Sequence, residues 1–170
     1  MLVHPIAQHN AQLCHEYQPI GGRFARVDVT DEDQVNAALD AAAQAHGVAR
    51  ILVNCAGVAP AKKAVGKEHV PHDMASFRKA IEINLVGSFN VLRLAAAAMQ
   101  SHAPDAEGQR GVIVLTSSVA AFEGQIGQAA YAASKGGVAS LVLPAARELG
   151  RVVIAQMQDV TELRAHRETL

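Results

Sequence analysis

The sequence has almost no excess charge of either sign. Its 15 lysine and arginine residues are balanced by 16 aspartate and glutamate residues, which gives a formal net charge of −1. No run of basic residues occurs in it. Proteins that bind nucleic-acid phosphates need a positive surface, because the phosphate backbone supplies much of the binding free energy. The composition therefore excludes nucleic acid as an expected partner.

Cysteine is also scarce, since only Cys14 and Cys55 occur. Neither residue belongs to a Cys/His spacing typical of zinc sites, and two thiols make a poor disulfide framework. His69 and His72, with Asp73 next to the second, fall in a proline-bearing loop and are interpreted as surface residues, so no metal is predicted. These features favour a reduced, cytoplasmic setting.

Long hydrophobic runs and targeting signals are missing as well. No uninterrupted apolar segment approaches the roughly 18 residues that a membrane-spanning helix needs. The start of the chain has no basic region followed by an apolar stretch and no enrichment in arginine, so neither secretion nor organelle import is predicted. Membrane association is not expected.

What is present is enough apolar sequence for one folded domain. The chain has 170 residues, of which 50% are hydrophobic and 18% charged. A chain of this length buries roughly 70% of its unfolded surface around one core. We assign residues 22–156 to that domain and leave residues 1–21 unassigned. Residues 157–170 are predicted to form a helix or tail, because Asp159 and Glu162 have the spacing of a capping box.

Segments of strand composition alternate along the chain with segments of helical periodicity. The predicted helices cover residues 31–46, 76–99 and 129–149, and Thr30 is the predicted N-cap of the first. The predicted strands cover residues 23–29, 50–53, 111–116 and 151–155. This alternation predicts an α/β fold with a parallel sheet and helices on both faces.

Three residues suggest proton-transfer chemistry, one just after the third predicted strand and two in the first turns of the third predicted helix. Tyr131 and Lys135 are one helical turn apart, and Ser118 ends the strand-like run before them. A phenol has a pKa of about 10 and is a poor acid or base at neutral pH unless a nearby cation favours the phenolate. Because residues at i and i+4 share a helix face, Lys135 can supply that cation. Ser118 can donate a hydrogen bond to a substrate carbonyl while Tyr131 gives or takes the proton.

Four motifs in order resemble the short-chain dehydrogenase/reductase superfamily over about residues 22–150. They are Asn54-Cys55-Ala56-Gly57 after a strand, Asn84 in a predicted helix, Ser118, and Tyr131 with Lys135. The resemblance implies a truncated Rossmann-like fold. It also implies a homo-oligomeric oxidoreductase that passes hydride between NAD(H) and a secondary alcohol or ketone, such as a 3-hydroxyacyl-CoA or a steroid.

The resemblance implies a role for each residue of the site. Tyr131 acts as acid or base, and Lys135 lowers its pKa and holds the nicotinamide ribose. Ser118 binds and orients the substrate carbonyl. Asn84 anchors a water molecule that relays protons, although a polar core residue with satisfied hydrogen bonds is the alternative interpretation of Asn84.

Cofactor contacts are implied for a second, overlapping set of residues. These are Asp28, Val29, Asn54, Cys55, Ala56, Gly57, Tyr131 and Lys135. For Asp28 an Asx turn is an alternative of equal weight. Cys55 is interpreted as a small buried hydrophobe beside the cofactor, because no histidine is evidently paired with it. NAD is chosen over NADP on the resemblance alone.

Several features of the superfamily are missing from this sequence. It contains no glycine-rich turn to hold the cofactor pyrophosphate, no acidic residue at the end of a second strand, and no Pro-Gly pair or lid after the last strand. The strand at 23–29 would therefore lack its usual neighbours, and we predict that it pairs directly with 50–53. Two functions stay open. One is an active dehydrogenase, and the other is a catalytically inactive remnant that acts at most as an oligomerisation module.

Overall fold

The computed structural model describes residues 2–3 and 21–159, and its sheet has four parallel strands. In chain order the strands are β1 (Leu2–Val3), β2 (Ile51–Asn54), β3 (Gly111–Ser118) and β4 (Val152–Asp159). The strands lie in the sheet in this same order. The β3–β4 pair forms the longest ladder, since all residues of both strands are in register. The predicted α/β class with a parallel sheet is confirmed.

Five α-helical segments accompany the strands in the described residues. In chain order they are α1 (Glu32–His46), α2 (Met74–Ile81), α3 (Gly87–Gln100), α4 (Ala120–Glu123) and α5 (Ala129–Leu149). The π-helix Glu82–Val86 joins α2 directly to α3, and a 3-10 turn spans Lys67–His69. The three predicted helices are confirmed, although the second begins slightly earlier than expected.

Aspartate side chains begin two of these helices. Asp31 accepts a hydrogen bond from the Gln34 backbone N–H and is the N-cap of α1, one position after the predicted Thr30. Asp73 accepts from two N–H groups in the first turn of α2. These backbone hydrogen bonds hold the pKa of both carboxyls below the usual value. Gly47 ends α1, with a φ of 78° that favours glycine.

The strand predicted at residues 23–29 is absent, and β1 lies beside β2 in its place. The prediction that this segment pairs with residues 50–53 is therefore wrong. The end of the segment is packed without a strand, because Val29 belongs to the core and Val27 packs against it. The hydrophobic pattern of the segment indicated that one side of an extended chain is buried. It carried no information on which strand, if any, would be its hydrogen-bond partner.

The described helices lie against one face of the sheet. Leu52, Ile113 and Ile154 point to that face and are buried with apolar residues of α1, α3 and α5. Alternate strand residues point the other way, and among them Ile51 is 61% and Val153 is 45% exposed. Right-handed crossovers that advance in one direction, from β2 to β3 to β4, place their helices on the same side. The sequence predicted helices on both faces of the sheet. Within residues 21–159, the helices cover one of these two faces.

The continuous helical stretch Met74–Gln100 is more apolar than the sequence analysis suggested. By its length, and by the mean hydropathy of 1.3 over an 18-residue window within it, it would pass for a membrane-spanning helix, but 50% of that window is buried inside the fold. Three polar residues of the stretch, Asn84, Ser88 and Asn90, are also buried and hydrogen-bonded. Packing against the sheet accounts for this composition, as it does for the core helix of a globular domain.

The last strand is longer than predicted. It runs to Asp159 rather than to residue 155, and it stays paired with β3 over its whole length. The capping box at Asp159 and Glu162 and the helix expected after it extend outside the described residues, as do residues 4–20.

Candidate active site

Three elements bring the predicted catalytic residues to the carboxyl edge of the sheet. Ser118 ends β3, Asn84 lies in the π-helix, and Tyr131 and Lys135 lie one turn apart in α5. All four are buried, with exposed fractions of 1%, 0%, 6% and 4% in that order. Ligands of parallel α/β sheets bind at this edge, so the four residues lie where a substrate would enter.

Lys135 reaches the end of β3 with its ammonium group. The Nζ atom donates a hydrogen bond to the Thr116 carbonyl oxygen at 2.7 Å and lies 5.8 Å from the centroid of the Tyr131 ring. A buried ammonium is costly unless polar groups surround it, and the strand carbonyl and the aromatic ring meet part of that need. The i, i+4 spacing in α5 thus places a cation beside the phenol ring.

Three hydrogen bonds fix the side chain of Asn84. Its Oδ1 accepts from the Val58 N–H at 2.7 Å, and its Nδ2 donates to the Val58 carbonyl at 2.8 Å and to Ser134 Oγ at 2.8 Å. The alternative interpretation, a polar core residue with satisfied hydrogen bonds, describes these contacts well. The relay through a bound water stays a prediction. Asn84 lies within a π-helix, a local widening that occurs frequently at functional sites.

Gly57 allows the loop after β2 to approach these groups closely. A Cβ atom built on Gly57 would lie 3.3 Å from Asn84 Oδ1 and 3.4 Å from Lys135 Nζ. A larger residue would press on both polar groups, so the position favours glycine for reasons of space. The segment 54–57, predicted to contact the cofactor, therefore ends beside Asn84 and the Lys135 ammonium.

A chain of buried hydrogen bonds links the end of β2 to α5. Asn54 Nδ2 donates to Ser88 Oγ at 3.0 Å, and Ser88 Oγ donates to the Asn84 carbonyl at 2.6 Å. Asn84 Nδ2 donates to Ser134 Oγ, which in turn donates to the Tyr131 carbonyl at 2.7 Å. We call these five residues the polar seam. Sequence reasoning missed Ser88 and Ser134, although a serine one turn after Asn84 and a serine inside the Tyr-x-x-x-Lys motif were available signals.

Ser118 and Cys55 are held by local contacts. Ser118 Oγ accepts from the Ala120 N–H at 3.2 Å, which fixes the hydroxyl at the turn after β3. Cys55 carries a free, half-buried thiol whose sulfur accepts from Thr116 Oγ1 at 3.6 Å. These contacts place both residues at neighbouring strand ends, where a ligand of the sheet edge would meet them.

Asp28 forms the Asx turn that was one of its two interpretations. Its Oδ1 accepts from the Thr30 N–H at 2.9 Å and from Thr30 Oγ1 at 2.8 Å. The next residue is anchored to α3, because Asn90 Nδ2 donates to the Val29 carbonyl at 2.9 Å. Arg93 supports this anchor by donating to Asn90 Oδ1 at 2.7 Å. The segment predicted to contact the cofactor is thus fixed on α3, while the contact itself stays a prediction.

The loop before α2 uses its polar residues for local structure. Asp73 caps α2 and pairs with Lys62 at 3.6 Å. His69 is exposed as predicted, whereas His72 is half-buried and its ring makes an edge contact with Phe77, with the ring centroids 6.3 Å apart. No group of three or more metal-binding side chains occurs in the part of the chain that the structure describes.

The fold and these side chains define the class of protein. The family model for short chain dehydrogenase matches residues 3–158, which is most of the chain. The protein therefore belongs to the short-chain dehydrogenase family. It is 50% identical over 135 residues to 3-hydroxyacyl-CoA dehydrogenase type-2 of Bos taurus, which covers 79% of this chain and 52% of that protein. It is 52% identical over 127 residues to the enzyme of the same name from Drosophila melanogaster, covering 74% and 50%.

Solved structures show the same relationship. The 3-hydroxyacyl-CoA dehydrogenase type-2 from Mycobacterium avium matches with a TM-score of 0.81 and 38% identity, covering 91% of this chain and 62% of that one. A 7α-hydroxysteroid dehydrogenase complexed with NADH and 7-oxo glycochenodeoxycholic acid matches with a TM-score of 0.73 and 31% identity, covering 91% and 58%. The predicted resemblance is confirmed, and the chain spans about half the length of the curated relatives it matches.

Proposed function

We propose that the protein is an oxidoreductase that transfers hydride between NAD(H) and a secondary alcohol or ketone, with 3-hydroxyacyl-CoA as the favoured substrate class. One observation carries the proposal: the Lys135 ammonium lies 5.8 Å from the centroid of the buried Tyr131 ring. Relatives named as 3-hydroxyacyl-CoA dehydrogenases support the substrate class. A structural neighbour complexed with NADH supports the cofactor.

The residues of this chain would handle the proton of the reaction. Tyr131 gives a proton to the carbonyl oxygen during reduction and takes one from the alcohol during oxidation. Lys135 stabilises the phenolate, because an ammonium group held beside the phenol ring favours the charged form of the phenol. Ser118 orients the substrate oxygen from the end of β3, and Asn84 supports a water that relays the proton.

A nicotinamide cofactor supplies the hydride chemistry when it is bound. The residues present fit its nicotinamide end, because Tyr131 and the Lys135 ammonium lie together near the carboxyl edge of the sheet, where ligands of such folds bind. Tyr131 completes that end of the proposed site. The segment 54–57 is proposed for the adenosine side of the cofactor, and Asp28 with Val29 for the adenine ring. The sequence has no glycine-rich turn for the pyrophosphate, so affinity for the whole dinucleotide is the decisive quantity.

Titration of the purified chain with NADH, followed by calorimetry and nicotinamide fluorescence, tests this proposal. We expect micromolar binding and a change in emission, and a parallel titration with NADPH distinguishes the two cofactors. Lys135→Met removes the proposed ribose contact and is expected to weaken binding. Lys79→Met makes the same change at an exposed position of α2 and serves as the matched control. Absence of both heat and emission change for the unmodified chain would refute cofactor binding.

The alternative is a catalytically inactive remnant that acts at most as an oligomerisation module. Apolar side chains on the long helices favour self-association, since Val86, Phe89 and Leu143 are 43%, 48% and 56% exposed. We propose a homo-oligomer through these helices for the active form as well. Sedimentation of the parent and of Phe89→Glu measures this surface, and the variant is expected to dissociate. A chain that self-associates but binds no NADH would support the remnant.

A further inference from the structure

Ser134 is a member of the polar seam to which the proton transfer described above assigns no role. Its side chain is fully buried, and it lies between Tyr131 and Lys135 in α5. The hydroxyl accepts from Asn84 Nδ2 at 2.8 Å and donates to the Tyr131 carbonyl at 2.7 Å. The Ser134 hydroxyl therefore links two parts of the candidate active site, since it accepts a hydrogen bond from the π-helix and donates one within α5.

Both partners of Ser134 lead directly to reacting groups. Asn84 is bonded to the N–H and the carbonyl of Val58, the residue after Gly57. Gly57 lies close enough to the Lys135 ammonium that a Cβ atom built on it would be 3.4 Å from Nζ. On the other side, the Tyr131 carbonyl belongs to the residue that carries the phenol. A serine bond to a carbonyl three residues earlier alters the local helix geometry, so it affects how that turn presents its side chains.

We propose that Ser134 is a positioning residue. It holds the turn of α5 that carries Tyr131 against Asn84 and the loop at Gly57, so that the phenol and the Lys135 ammonium keep one relative placement. Without the hydroxyl, one buried N–H of Asn84 loses its acceptor, and the Asn84 side chain rearranges because an unsatisfied buried donor is costly. The kinetic consequence rests on the proposed dehydrogenase function, whereas the structural consequence rests on the hydrogen bonds alone.

Ser117 provides a matched control in the same region. It is also fully buried, and its Oγ donates to a carbonyl of α5, that of Lys135, at 3.1 Å. Ser117→Ala removes one buried serine hydroxyl and one bond to the same helix, but it leaves the polar seam intact. Losses of stability in urea unfolding are expected to be similar for Ser117→Ala and Ser134→Ala. Only Ser134→Ala should change the placement of Tyr131.

Fluorine NMR on Tyr131 tests the proposal without any need for activity. The chain has two tyrosines, so 3-fluorotyrosine in a Tyr17→Phe background reports on Tyr131 alone. We expect one sharp resonance for this background and for Ser117→Ala, and a broadened or doubled resonance for Ser134→Ala. Should Ser134→Ala unfold, Ser134→Cys replaces it with the same expectation, because a thiol of similar shape bonds more weakly. An unchanged resonance in the folded Ser134 variant overturns the proposal.

Turnover of a ketone with NADH gives the second measurement. We expect Ser134→Ala to lower kcat about tenfold, because the alignment of Tyr131 with the substrate is affected, and to change the KM for NADH by a smaller factor. Ser134→Thr keeps the hydroxyl and should recover most of the loss. Equal losses of kcat in Ser134→Ala and Ser117→Ala would assign the effect to stability and refute positioning. An inactive parent contradicts the proposed function, and the fluorine measurement then decides the role of Ser134.

Discussion

Two adjacent glycines in α5, Gly136 and Gly137, give a sharp test of the packing around the site. Both lie inside the same long helix, so replacement by alanine brings each the same propensity benefit of about 1 kcal/mol. A Cβ atom on Gly137 would lie 2.7 Å from Leu85 Cδ2 and 3.0 Å from its Cδ1. On Gly136 the nearest atom is the Ala121 carbonyl oxygen at 3.8 Å, which is ordinary contact. Overpacking of the kind expected at Gly137 typically costs about 1–3 kcal/mol of stability.

Helix propensity cancels in the difference between the two variants, which leaves the packing energy. We expect Gly136→Ala to raise the free energy of unfolding by up to about 1 kcal/mol. Gly137→Ala should lie about 1 kcal/mol below it, at the low end for overpacking, because the half-buried Leu85 side chain can shift. Urea unfolding followed by far-UV circular dichroism measures both variants, provided that their m-values agree. Because Leu85 follows Asn84 in the π-helix, Gly137→Ala should also reduce turnover. Equal stabilities of the two variants would refute the close packing of the π-helix on α5.

Three further predictions concern the site and a helix cap. Tyr131→Phe removes only the phenolic hydroxyl and is expected to abolish turnover of a ketone with NADH; turnover at the parent rate would exclude the proton-transfer mechanism. Asn84→Ala leaves the Val58 N–H and carbonyl without their partner and is expected to lower the free energy of unfolding by about 2–5 kcal/mol in urea. A decrease under about 1 kcal/mol would contradict the role of Asn84 in holding the loop at Val58. The pKa of Asp73 is lowered from 3.8 mainly by the Ala75 N–H, so its stabilising effect is present above that value and is lost as the pH falls through the lower, folded-state pKa. Asp73→Asn keeps an N-cap that does not titrate, and its melting temperature should fall less than that of the parent below about pH 4; identical acid profiles would argue against this contribution.

The long elements of this fold could be predicted because each buries a continuous apolar stripe. Helices 31–46 and 129–149 repeat small and apolar residues at helical spacing, and each has a glycine just past its end. The segment 23–29 shows the limit of such reasoning. Its alternating residues do bury one side, but a strand also requires a free neighbouring edge, and β1 pairs with β2 at that position. Which edge is taken is a property of the whole sheet.

Some features of the candidate site could likewise be predicted from local sequence, whereas others depend on contacts between distant parts of the chain. The pairing of Tyr131 with Lys135 follows from spacing within one helix, so the sequence was sufficient for it. Ser88 and Ser134 act through Asn84, and their contacts exist only because a π-helix turns Asn84 into the core. No periodic pattern in residues 76–99 marks that local change of helix type. Bonds across 50 residues of chain, such as that from Asn84 to Ser134, depend on tertiary packing.

The proton-transfer groups belong to the core of the domain, and this bears on the choice between the two functions. Lys135, Asn84 and Ser134 are at most 4% exposed, and their burial is tolerable only while the loop at Gly57, the π-helix and α5 stay together. Folding therefore maintains the placement of these groups whether or not a dinucleotide is held nearby. For the same reason, the correct placement of Tyr131 does not distinguish an active dehydrogenase from a remnant. Affinity for NADH does, because the missing glycine-rich turn affects the pyrophosphate and leaves the polar seam untouched.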